Sequence, residues 1–242
     1  IRVEHSMQNA ALYTYILDCS KEIAVKKRPL ILICPGGGYA VTSDREAEPV
    51  AIYELANSVS TLRSRAEELN IDPNKIAVLG FSAGGHLAAD YCMSWNRKEL
   101  AELFGTAQTD LRPNAMILGY PVISSGKYAH TDSFLNLLGN QYEELKEDLS
   151  LENKVNSDMP VSFIWNTFED RTVPAINSIM LVQELIKHGI PTEYHLFQKG
   201  GHGLALADWT TMSAAGFGEE DACHSWIELL HKWLENWRND ES

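Results

Sequence analysis

Positive charge is the scarcest commodity in this chain: 20 Lys plus Arg stand against 33 Asp plus Glu, a formal charge of −13 over 242 residues. Phosphate backbones need a basic face, so a nucleic-acid binder is excluded as the expected class, and an anionic membrane surface is disfavoured on the same ground. Cysteine is also sparse. Cys19, Cys34, Cys92 and Cys223 lie far apart with no CxxC pair, so neither a zinc site nor a disulfide framework is indicated. The apolar settings of Cys34 and Cys92 suit ordinary buried thiols. Long hydrophobic runs are missing too; stretches such as Leu30 to Cys34 are too short for a transmembrane helix. No repeat or low-complexity tract is visible. The chain begins at Ile1, so a trimmed export signal stays open beside the expected cytoplasmic location. What is present suits a globular domain: 45% apolar and 22% charged residues supply a core without a disorder signature. Neutral ligands remain open.

The hydrophobic pattern alternates strand with helix. Leu12 to Leu17 reads as a strand. Pro29 introduces Leu30-Ile31-Leu32-Ile33-Cys34, an apolar run that suits a strand buried on both faces. Residues 46–57 and 59–69 read as two helices, the second with Val59, Leu62, Ala66 and Leu69 on one face. A turn at Asp72-Pro73-Asn74 precedes a strand over Ile76–Leu79, and a helix is predicted from Ala83 to Trp95. Further strands are predicted at 115–119, 161–166 and 193–198. A helix starts near Pro174 and stops near Gly189. The last helix, 222–237, carries Trp226, Leu230, Trp233, Leu234 and Trp237 on one side, a core-facing stripe. This alternation predicts an α/β fold, a three-layer sandwich with a mainly parallel sheet, in one domain spanning 1–242. Residues 124–157 are richer in polar and loop residues and read as an insertion over the site, a lid.

Three short stretches carry chemistry. Gly80-Phe81-Ser82-Ala83-Gly84 is a GxSxG between a predicted strand and a predicted helix. Its glycines permit a sharp turn that thrusts Ser82 out at the strand's end, where the helix N-terminus favours developing negative charge. Pro35-Gly36-Gly37-Gly38-Tyr39 ends another strand. Its glycines expose backbone N–H groups, and Gly37 and Gly38, with the N–H of Ala83, form the candidate oxyanion hole. A phosphate loop is disfavoured because no Gly-Lys-Ser/Thr follows. His202, in Gly200-Gly201-His202-Gly203, sits on a flexible loop just after the strand 193–198 and can serve as base. His188 and His231 lie on helices, His195 within a strand and His5 near a terminus. His86 falls in the elbow helix and reads as structural.

The orienting acid belongs between serine and histidine. Glu169-Asp170 follows the strand 161–166; Asp170 is the better candidate, with Glu169 as fallback. The order Ser82, Asp170, His202 is the one expected of α/β-hydrolases. Tyr39 is a candidate to line a substrate site, although packing explains an aromatic there equally well. Acyl transfer by these groups needs no metal and no organic cofactor.

Taken together, these stretches resemble the esterase branch of the α/β-hydrolase superfamily that includes bacterial acetyl esterases and acetylxylan-esterase-like enzymes. The resemblance runs through Leu30–Tyr39, Ile71-Asp72-Pro73, Gly80–Ala88, Leu149-Ser150-Leu151-Glu152, Asp170 with Val173-Pro174, and Gly200–Gly203. It implies the same triad and hole, and a serine carboxylic-ester hydrolase that removes short acyl groups from sugar or xylan fragments. The pattern often has histidine where Asn166 stands. It also implies a further strand and connection before the helix leading to Ile71. Helix 46–57 runs almost directly into 59–69, leaving no room for one. Either a sheet strand is lacking or a strand–helix segment near Asn57 to Ser60 is missing from the sequence; loss of an inner strand would strand its backbone partners, which favours the second. The alternatives are a serine peptidase of the same fold and a non-catalytic binding protein on a hydrolase scaffold. The expected partner is a small-molecule or oligosaccharide ester, and self-association into a homo-oligomer is compatible with each reading.

Overall fold

The computed structural model describes residues 2–3, 12–16, 27–40, 48–212 and 216–239. Its centre is a five-stranded sheet in the order β3-β4-β5-β6-β7, with every neighbouring pair parallel. The strands are β3 (Arg28–Cys34), β4 (Ile71–Phe81), β5 (Ala115–Gly119), β6 (Val161–Thr167) and β7 (Thr192–Phe197). Two short strands, β1 (Arg2–Val3) and β2 (Leu12–Tyr13), pair antiparallel with each other. The strand expected over Leu12–Leu17 is described only to residue 16, and only Leu12–Tyr13 pair.

Side-chain alternation divides the sheet into two faces. Val78, Met116, Leu118 and Ile164 point to a core shared with α1 (Glu48–Ser64), α3 (Ala83–Ser94) and α7 (Ile176–Lys187). Ala77, Leu79, Ala115, Ile117, Phe163 and Trp165 point the other way, onto α9 (Trp226–Asn239). Both faces are covered, so β5 and Ile76–Phe81 of β4 are apolar throughout rather than alternating with polar residues. The tryptophan stripe of α9 packs as expected: Trp226 stacks on Trp165 with centroids 4.8 Å apart. Cys34, Cys92 and Cys223 are free and buried; burial pushes the Cys34 thiol up to about 12. Cys19 lies outside the described residues.

Two expectations need correction. The two helices expected over 46–57 and 59–69 are one helix, α1, followed by the short α2 (Ala66–Leu69); residues 46–47 are outside the described set. No glycine or proline interrupts Asn57–Ser60, and Ser58 Oγ donates to the Glu54 carbonyl at 2.8 Å, within the helix. Second, β4 begins at Ile71, ahead of the expected turn. Arg28 pairs with Ile71 and Leu30 with Ile76, so residues 72–75 bulge out of the ladder, with the Asp72 carboxylate accepting the Asn74 N–H at 2.9 Å. Among the described residues β3 has one neighbour in the sheet, β4.

Residues 124–157 contain α5 (Thr131–Leu138), α6 (Tyr142–Leu145) and several 3-10 turns. Phe134, Leu137 and Leu149 of this segment pack with Tyr39, Ala83, Val122 and Val173. The segment thus lies against the carboxyl ends of the strands, where ligands of open α/β sheets bind. No helix among the described residues is long and apolar enough to cross a membrane.

Candidate active site

Ser82 is held in a conformation that L-residues avoid, with φ 54° and ψ −121°. Such a backbone costs about 1–3 kcal/mol and persists only where its surroundings over-determine it. Here they do. The Ser82 N–H donates to the Gly119 carbonyl at 3.1 Å. Its own carbonyl accepts from Gly85 and Val122, each at 3.0 Å, and from His86 at 3.3 Å. The flanking glycines are there because the chain comes so close to itself. A Cβ on Gly80 would lie 2.2 Å from the Gly84 carbonyl oxygen. One on Gly84 would lie 2.3 Å from the carbonyl oxygens of Cys34 and Pro35. The elbow therefore packs against the end of β3, and the glycine loop that follows β3 lies beside Ser82.

His202 reaches the elbow from the loop after β7. Its Nε2 lies 2.8 Å from Ser82 Oγ, and its Nδ1 lies 2.7 Å from Asp170 Oδ2. A carboxylate can only accept, so Nδ1 carries the proton and Nε2 presents a lone pair to the serine hydroxyl. Asp170 has no exposed side-chain surface. Its second oxygen accepts the N–H groups of Thr172 and Val173, both at 2.9 Å, so the buried carboxylate has partners that offset its lost hydration. Glu169, the sequence fallback, points elsewhere: it is exposed and paired with Lys199 at 2.7 Å.

The loop carrying His202 is tied down at both ends. Thr167 Oγ1 donates to the Gly200 carbonyl at 2.7 Å, and the Ala205 N–H donates to the Tyr120 hydroxyl at 3.0 Å. The Tyr120 ring also meets the His202 ring edge-on, with centroids 4.9 Å apart. Burial pushes the Tyr120 phenol up to about 12, with the negative charge of Asp170 adding to the effect, so it stays protonated. Neither Thr167 nor Tyr120 belongs to a motif. Their positions, Thr167 as the last residue of β6 and Tyr120 just past β5, at the same carboxyl end of the sheet as Ser82, are the signal that could have marked them.

The remaining candidates fall beside this chain of bonds. Gly37 and Gly38 occupy a turn closed by the Ala40 N–H on the Gly37 carbonyl at 3.0 Å. A Cβ on the adjacent Gly36 would lie 3.1 Å from the Ser82 Cβ. Ala83 is the first residue of α3, so its N–H is one of the unpaired donors of a helix start. Tyr39 is buried, with its hydroxyl 3.1 Å from His86 Nδ1. Asn166 is buried on β6, where its Oδ1 accepts from the Tyr194 hydroxyl at 2.8 Å, away from the three-residue chain. His130 Nδ1 is 2.8 Å from Ser133 Oγ. Burial lowers His130 from its ordinary value, and it is close enough to feel the charges of His202 and Asp170. Among the described residues, no three His, Cys, Asp or Glu side chains gather as a metal ion would require. A cavity of about 520 Å³ in the 124–157 segment is lined by Ser125, Tyr142, Ser150 and Glu152, among others, and includes none of Ser82, His202 or Asp170.

Comparison with known proteins places the same region in a defined family. The BD-FAE family model matches residues 37–185. An endo-1,4-beta-xylanase B of Butyrivibrio fibrisolvens is 32% identical over 228 residues, covering 80% of this chain and 35% of that protein. An acetylxylan esterase of Xylanibacter ruminicola is 28% identical over 207 residues, 72% of this chain and 41% of that one. The chain thus spans well under half the length of these curated relatives. Among solved structures, an acetyl ester-xyloside bifunctional hydrolase from Caldicellulosiruptor lactoaceticus superposes with a TM-score of 0.70 at 33% identity. That superposition covers 93% of this chain and 87% of the other.

Proposed function

Because the chain belongs to the BD-FAE family, within the α/β-hydrolase esterases, we propose that it is a serine carboxylic-ester hydrolase that removes short acyl groups, acetyl above all, from sugar or xylan-derived esters. The observation that carries the reading is the unbroken run of hydrogen bonds from Asp170 through His202 to a strained Ser82.

In this mechanism Ser82 Oγ attacks the ester carbonyl as His202 Nε2 takes the hydroxyl proton. Asp170 holds the imidazole in the tautomer that leaves Nε2 free and stabilises the imidazolium that forms. The N–H groups of Gly37, Gly38 and Ala83 receive the developing oxyanion; each such donor is worth about 3–4 kcal/mol of transition-state stabilisation. As the carbon–oxygen bond to the alcohol breaks, His202 returns the proton to the departing oxygen. Water then enters, His202 takes one of its protons, and the acyl–Ser82 bond is hydrolysed. The 124–157 segment walls the site, a role supported by its packing on Tyr39 and Ala83.

Support for the acyl and alcohol portions comes from relatives, one called an acetylxylan esterase and one an acetyl ester-xyloside hydrolase. The test is a fluorophosphonate probe followed by peptide mapping, together with a panel of acetylated xylo-oligosaccharides, feruloyl esters and simple acyl esters of increasing length. Label on Ser82 and a preference for acetylated oligosaccharides are expected. Label on a different serine would remove the elbow assignment, and a preference for longer simple esters would remove the substrate class.

A further inference from the structure

Three consecutive residues of the glycine loop have positive φ: Gly37 at 135°, Gly38 at 59° and Tyr39 at 58°. Glycine adopts such angles freely, but tyrosine does not. Something must hold Tyr39 there, and its side chain shows what does. The Tyr39 hydroxyl lies 3.1 Å from His86 Nδ1, and His86 Nε2 lies 3.0 Å from the Leu149 carbonyl oxygen. The carbonyl can only accept, so Nε2 carries the ring proton. Nδ1 is then the acceptor, and the Tyr39 O–H donates to it. The relay is thus directional, Tyr39 to His86 to Leu149.

This relay is shielded from water. Tyr39 is 8% exposed, His86 1% and Leu149 5%. The His86 ring is set edge-on between Phe134, at 5.3 Å between centroids, and Tyr39, at 6.1 Å. Burial holds the imidazole below its ordinary value, so it stays neutral and its acceptor remains available. His86 also lies in the first turn of α3, three residues past Ala83, and its own N–H reaches the Ser82 carbonyl. The relay therefore joins the two pieces of backbone from which oxyanion donors would come: the Gly37–Gly38 turn and the start of the elbow helix.

We propose that Tyr39 and His86 are positioning residues, whose mutual hydrogen bond sets the distance between the Gly37–Gly38 donors and the Ala83 donor. The inference rests on the esterase reading and deepens it. Each side chain acts through the backbone it holds, and a hole of this kind tolerates little displacement, since a misplacement of about 1 Å costs about a hundredfold in rate. Because the donors engage the oxyanion and not the ground-state ester, loosening them lowers kcat and leaves KM in place.

The experiment is a double-mutant cycle on the full chain, using Tyr39→Phe, His86→Leu and the pair, with p-nitrophenyl acetate turnover and the rate of fluorophosphonate labelling of Ser82 as readouts. Tyr39→Phe removes one oxygen and keeps the ring in its apolar setting. It is expected to lower kcat about ten- to a hundredfold, with KM within about twofold. Labelling should slow by a similar factor, because the phosphonate oxygen uses the same donors. The double variant should lose no more than the worse single one, since both remove the same bond. His86→Gln, whose amide offers an acceptor and a donor, should recover part of the loss and serves if the leucine variant does not fold. Tyr39→Phe with wild-type kcat overturns the inference while leaving the esterase reading standing, as do losses that multiply in the double variant. A wild-type chain with neither turnover nor labelling overturns both.

Discussion

At the scale of single residues, Ser82, His202 and Asp170 do different work in the proposed reaction. Ser82→Ala removes the nucleophile and should lower kcat for p-nitrophenyl acetate about 10⁵–10⁶-fold, with an unchanged circular-dichroism spectrum; turnover near wild type would assign the attack elsewhere. Asp170→Asn keeps the shape but releases the imidazole tautomer, so about a 10⁴-fold loss is expected. The same change at Glu169, which faces Lys199 and solvent, should leave kcat within about twofold. His86 makes a pH prediction. Burial lowers its affinity for a proton in the fold, so the unfolded chain binds that proton first. Stability from this site is fully present above the unfolded value of about 6.5 and is lost as pH falls below it. The unfolding free energy from urea titration should fall from pH 7 to pH 5, by at most about 1.4 kcal/mol per pH unit from this group, and fall less in His86→Leu. An equal fall in both proteins contradicts this.

Ser82 and His202 were legible because glycines and strand ends announce them. Asp170 was only half legible, since an adjacent glutamate offers the same chemistry, and only the turn geometry at Thr172 and Val173 selects between them. Tyr120 and Thr167 were not legible, because a residue that supports another through space leaves no local pattern.

Among elements, β5, β6 and β7 were read to within one residue at each end, whereas β4 starts at Ile71 rather than Ile76 and β3 at Arg28 rather than Leu30. Helix boundaries were read less well. The chain runs through Asn57–Ser60 as helix, with Ser58 bonding back to the preceding turn, which a helix tolerates. Helices α4 (Lys98–Phe104) and α5 are short, so periodicity had little length to act on. The stripe on α9 was clear, and it carries a prediction. Trp226 is 3% exposed and stacks on Trp165. Trp226→Ala should destabilise the protein by about 3–5 kcal/mol, seen as a lower urea midpoint, while the folded fraction keeps its turnover. A shift below about 1 kcal/mol would mean that α9 is not anchored there.

Viewed as a whole, the molecule places every proposed reacting group past the carboxyl end of a strand: the glycine loop after β3, Ser82 after β4, Asp170 after β6 and His202 after β7. Strand order brings them together, and strand order was not readable from the sequence beyond being parallel. The apolar run Leu30–Cys34 suits a strand covered on both faces, yet Ile33 is 60% exposed. The charge of −13 acts at this scale as well. It repels anionic substrates over a Debye length of about 10 Å at 0.1 M salt. Adding salt should therefore raise kcat/KM for an acetylated oligosaccharide bearing a carboxylate and leave a neutral one unchanged; equal salt responses would show that the surface field does not reach the site.

The most direct measurement is acid quenching of the reaction with p-nitrophenyl acetate during its first turnover, followed by peptide mass mapping. A covalent mechanism accumulates acyl-enzyme in that burst. The expected result is an acetyl group on the peptide containing Ser82, absent from the His202→Ala protein; an acetyl group on another residue, or turnover with no acylated peptide at any time, contradicts the account.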